Sequence, residues 1–124
     1  MAKLNAIVCC TQAVFTDPYW HLIGVLEQIW VRSNETARFD VFIKLGDVLS
    51  TFDSDITIVV RSFDDGPGEV IANRTQKTRG GGDGVALAKF SLEVEFEKEG
   101  TFNVEAYLNG ALLDEQKLKV LIID

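Results

Sequence analysis

Phe90-Ser91-Leu92-Glu93-Val94-Glu95-Phe96-Glu97 decides the fold class. Apolar residues alternate strictly with polar ones, the two-residue period of a strand with one face buried and one face wet. A helix would spread Glu93, Glu95 and Glu97 around its circumference and bury some of them. The pattern predicts a strand from Val85 to Glu97.

Downstream, Glu99-Gly100 makes a turn, and Phe102, Val104, Ala106 and Leu108 alternate with Asn103, Glu105 and Tyr107. Asn109-Gly110 follows. It is a strong hairpin signal, because a type I′ turn needs positive φ at both central residues. Leu118, Val120 and Ile122 mark the return strand, so Val85 to Ile123 reads as a three-stranded antiparallel meander. Upstream, Phe39, Val41, Ile43 and Leu45 form one alternating strand, and Ile56, Ile58 and Val60 another. Both are rich in the β-branched and aromatic residues that suit a pleated surface. Asp64-Asp65-Gly66-Pro67-Gly68 is a turn cluster, and Glu69 to Gln76 reads as a short, weakly apolar edge strand.

The N-terminal third is less regular. Leu4 to Val14 reads as a strand apolar on both faces. In Tyr19, Leu22, Ile23, Leu26, Ile29 and Trp30 there is also a helical stripe, with Asp17-Pro18 as a helix start. Against it, Ile29-Trp30-Val31 favours a strand, and Gly24 weakens a helix interior.

Four stretches carry a resemblance: Ala6-Ile7-Val8-Cys9-Cys10; Leu22-Ile23-Gly24-Val25-Leu26 with Gln28-Ile29-Trp30; Phe39 to Leu45; and Glu99-Gly100-Thr101-Phe102 through Val120. Together they resemble a bacterial family of small, functionally uncharacterised immunoglobulin-like β-sandwich proteins. The resemblance implies an antiparallel sandwich of about seven to eight strands and favours one strand over Trp20–Val31. It implies no activity and no site residues.

Length and composition bound the rest. The 124 residues suit one domain, 1-124, with enough bulk for its own core. Nineteen acidic against twelve basic residues give a net charge of −7, which disfavours phosphate backbones and anionic lipid alike. No nucleic acid and no membrane are expected as partners. The two cysteines, Cys9 and Cys10, are adjacent and point to opposite faces of a strand, so they cannot bridge each other. With no signal-like h-region after Met1-Ala2-Lys3, the expectation is a cytoplasmic protein with reduced thiols.

Candidate chemistry is sparse. His21 is the single histidine and stands near no nucleophile motif. Cys9, Cys10 and His21 offer at most three zinc ligands, where about four are needed. Asp53 and Asp55 precede one strand and Asp64-Asp65 follow it, so the two groups cannot share a calcium ion. Arg79-Gly80-Gly81-Gly82-Asp83-Gly84 lacks the Gly-Lys-Ser/Thr ending of a phosphate loop, and one Arg-Gly-Gly is weak evidence for RNA. Tyr19, Trp20 and Trp30 lie in the two-faced apolar stretch, which needs cover from the rest of the chain or from another subunit. The expectation is a non-catalytic protein-interaction or assembly module, binding a protein partner or itself and using no cofactor or metal. The alternative is a small-ligand or carbohydrate-binding domain that stacks its ligand on Trp20, Trp30 or Tyr107.

Overall fold

The computed structural model describes residues 3–16, 19–47, 53–63, 68–80 and 83–123. Among these the chain forms nine strands: β1 (Lys3–Thr16), β2 (Tyr19–Val25), β3 (Gln28–Arg32), β4 (Thr36–Gly46), β5 (Ser54–Ser62), β6 (Val70–Thr78), β7 (Ala86–Glu95), β8 (Gly100–Leu108) and β9 (Ala111–Ile123). They make two sheets, ordered β2-β1-β4-β7 and β3-β9-β8-β5-β6.

One core lies between the sheets. The four-stranded sheet contributes Cys9, Phe39, Val41, Ile43, Leu45, Phe90, Leu92 and Val94, and the five-stranded sheet Ile56, Ile58, Val60, Phe102, Val104, Leu118 and Val120. Apart from Cys9, these are the alternating positions read from the sequence. The fold is a two-layer all-β sandwich because each sheet can bury its apolar face only against the other.

Two expectations change. First, β7 pairs with β4 and not with β8, so the expected meander is only the β8–β9 hairpin. After Glu95 the chain crosses to the other sheet, and the corner is held by Phe96 edge-on to Phe102 at 4.9 Å between ring centroids. Alternation reports which face of a strand is buried. It is the same whether the next strand lies beside it or across the core, so it could not separate these cases. The Asn109-Gly110 turn itself is as expected, with φ of 49° and 86°. Asn109 also ties the hairpin to β5: its Oδ1 accepts from the Asp55 amide at 2.9 Å, and its own amide donates to the Asp55 carbonyl at 2.8 Å.

Second, the stretch expected as one strand over Trp20–Val31 is two strands in different sheets. It contains no helix. Gly24 takes φ +67°, and a Cβ there would come within 2.5 Å of Thr11 Oγ1. The chain bends beyond it, anchored by the Leu26 amide on the Cys9 carbonyl at 2.8 Å, and enters β3, which runs parallel to β9. This division supplies the ninth strand.

Candidate interaction surface

Each sheet has two open edges, and the four differ in how they are protected. β6 carries Arg74 and Lys77, β3 ends in Arg32, and β7 presents Lys89, Glu93 and Glu95. On β7 the edge backbone is also met from the opposite sheet, where Gln76 Nε2 on β6 donates to the Lys89 carbonyl at 2.7 Å. By contrast, β2 contains no Asp, Glu, Lys or Arg. Among the described residues, no side chain outside β1 bonds to its backbone. Charged residues are the usual means by which a free edge is kept from pairing with another chain.

The β1–β2 hairpin is apolar on both faces. On one, Cys10, Ala13 and Phe42 form a second buried cluster with Trp20 and Leu22 packed against it. Trp20 lies between Phe15 and Phe42, with ring centroids 5.4 and 5.2 Å away. A carboxylate completes this region. Asp40 is buried, and its Oδ2 accepts from the Ala13 amide at 2.7 Å, where β1 has run past its last pairing with β4 at Cys10–Asp40. Beyond the cluster the hairpin stays in water: Phe15 is 52% exposed, Tyr19 68%, Ile23 53% and Val25 64%. Trp30, on the neighbouring edge strand β3, is 59% exposed.

The chemistry-bearing residues are dispersed. Cys9 and Cys10 are both free and buried, Cys9 in the main core and Cys10 in the second cluster. Burial, with Cys10 alongside, pushes the Cys9 thiol up to about 12. Burial, with Asp40 nearby, also raises that of Cys10. Both are therefore protonated and poor nucleophiles at neutral pH. His21 lies near the start of β2, exposed and opposite Val14. Asp53 pairs with Arg79 and Asp55 with Lys77, at 3.1 and 3.0 Å. The acid pair and the glycine-loop arginine are thus engaged with β-strand neighbours or with each other. Asp64, Asp65, Gly81 and Gly82 lie outside the described residues. Among the described residues no group of three or more His, Cys, Asp or Glu is placed to hold a metal ion.

The outer face of the five-stranded sheet is polar. Glu105 is buried there by Arg61 Nε at 3.2 Å and the Tyr107 hydroxyl at 2.8 Å, and that bond to Glu105 raises the phenol's pKa. Asn103 donates to Glu115 at 3.2 Å, while its Oδ1 is buried without a protein partner. The stacking residues of the carbohydrate alternative are not brought together: Trp20 is on β2, Trp30 on β3 and Tyr107 on β8. Sequence reasoning located the two-faced stretch but missed that it forms a free edge. The signal available was the run Tyr19–Val25 without a formal charge.

No family model matches the chain, and no curated protein matches it. Among solved structures it is similar to the Pseudomonas fluorescens alkylpurine DNA glycosylase AlkC bound to DNA containing an abasic site analog, at 12% identity and a TM-score of 0.60. The match covers 97% of this chain and 30% of the glycosylase, so the chain spans under a third of that enzyme's length. A β-glucosidase from Kluyveromyces marxianus matches at 10% identity and a TM-score of 0.48, over 73% of this chain and 14% of that one. At 12% identity the likeness to the glycosylase is one of fold alone. No helix among the described residues is long and apolar enough to cross a membrane.

Proposed function

We propose that the chain is a non-catalytic protein-interaction or assembly module that engages its partner through the β1–β2 hairpin. The observation that carries this reading is the unprotected β2 edge, flanked by exposed Tyr19, Ile23 and Val25. Backbone groups on such an edge are a ready template for strand addition, and the apolar side chains beside it supply buried area. The net charge of −7 speaks against a phosphate-rich partner, so the glycosylase's DNA is not carried over.

An immunoglobulin-like arrangement is part of the same reading. The order β9-β8-β5-β6 corresponds to the G-F-C-C′ order of variable-type domains, and β1-β4-β7 to A-B-E. Affinity capture from native lysate tests the interaction role, with the wild-type chain and an I23K/V25K double variant as baits. The expected result is a protein, another copy or a different chain, held by the wild type and lost by the variant. Equal recoveries from both baits overturn the reading.

A further inference from the structure

We infer that the occupant of the β2 edge is a second copy of this chain, paired antiparallel across a two-fold axis so that two four-stranded sheets become one of eight strands. This rests on the interaction reading above and names its partner. Three observations carry it.

The first is charge. Two copies carrying −7 each repel overall, so they can meet closely only where the surface is locally uncharged. β2 is the one edge strand among the described residues with no Asp, Glu, Lys or Arg.

The second is self-complementarity. A two-fold contact sets a patch against itself, and an antiparallel strand pair meets that condition. Whether His21 or Leu22 sits on the axis, Tyr19 of one copy faces Ile23 or Val25 of the other. An aromatic opposite a β-branched residue is a favourable cross-strand pair, and neither register sets charged side chains of β2 opposite one another.

The third is area. Tyr19, Ile23 and Val25, which share one face of β2, leave on the order of 300 Å² of apolar surface in water on each copy. Two copies together bring on the order of 600 Å², to which the paired β2 backbones add, an interface of the small, reversible class.

Sedimentation and small-angle scattering of the purified chain over a rising concentration series test the inference. A monomer–dimer equilibrium is expected, and I23K/V25K is expected to weaken it on the order of 100-fold by placing lysines on the edge. L112K, which alters an exposed apolar residue on the other sheet, leaves it unchanged. Amide exchange in residues 19–25 provides a check free of substitutions, slowing as the wild-type concentration rises. A chain that stays monomeric at every concentration, with a radius of gyration near ~14 Å, overturns the inference. So does a dimer that survives I23K/V25K, or exchange in β2 that ignores concentration. If the purified chain is monomeric yet a lysate protein is lost with I23K/V25K, the second copy is excluded and the broader reading stands.

Discussion

β7 and β2 are opposite edges of one sheet, built from the same backbone pattern and finished in different ways. β7 alternates without a fault: Ala86, Ala88, Phe90, Leu92 and Val94 are buried, and Leu87, Lys89, Ser91, Glu93 and Glu95 are exposed. Its outer face is mostly polar, and Gln76 reaches over from the other sheet to its edge. β2 has apolar residues on both faces, no formal charge and a glycine bend at its end. One edge is completed within the chain. The other has apolar side chains and backbone groups left over, and the contrast locates the region where a partner adds most.

The largest test of this contrast compares a core position on each strand. Phe90 is fully buried between the sheets, so F90A removes its transfer energy and leaves a cavity, costing about 3–5 kcal/mol. Trp20 packs against Phe15 and the outer cluster around Phe42, and keeps part of its surface in water. W20A is therefore expected to cost less than half as much, measured by urea denaturation at a concentration that keeps the chain monomeric. Equal costs would mean that the hairpin belongs to the main core and that the two edges are energetically alike.

Next in size is the alkaline limb set by Cys9, on β1 between the two edges. Its thiol is held protonated by burial up to about 12, so the folded chain binds a proton that the unfolded chain releases near its ordinary value of about 9. A raised value stabilises the fold fully below the unfolded value and loses that contribution as pH climbs to the folded one. Stability should fall between about pH 9 and 12, by up to about 4 kcal/mol from this group. C9A should flatten that limb without removing the slope due to other groups. An unchanged slope in C9A would show that Cys9 reaches water, and with it that β1 is not sealed against the core.

Asp40 comes third. Its carboxylate takes over as acceptor for the Ala13 amide at the place where β1 has parted from β4 to pair with β2 alone. D40A leaves a buried N–H without a partner and is expected to cost about 1–3 kcal/mol. The loss should be local, with amide exchange accelerating in 11–16 and 19–25 ahead of β7. Uniform acceleration would mean that the hairpin does not open separately from the sheet.

These positions also show how far the sequence could be read. The buried faces of β4, β5, β7, β8 and β9 were legible because alternation and an Asn-Gly turn are local signals. The sheet to which β7 belongs was not, because the Phe96–Phe102 corner is a contact across layers with no periodic trace. Nor was the division of β2 from β3, since a doubly apolar run hides its change of sheet and Gly24 reads equally as a bulge or a weakness. The same holds for the partners of Asp40, Asp53 and Asp55. Each is a pairing with a residue distant in sequence, and only register brings them together.

The smallest expected effect on the fold comes from the position that matters most to the proposed interface. Ile23 is more than half exposed and stands opposite Gln12 on β1, so its side chain has little within the chain to lose. Lysine lowers strand propensity somewhat, yet its long stem can lie along the hairpin with the ammonium in water. In dilute solution I23K is therefore expected to change the unfolding free energy by no more than about 0.5 kcal/mol. Such a near-silent outcome separates the edge from the core: the apolar character of β2 would contribute almost nothing to folding and would be available for association. A cost above about 1.5 kcal/mol in the monomer would show that Ile23 packs within its own chain. The unfinished edge would then be closed like β7, and the premise for a second copy would be gone.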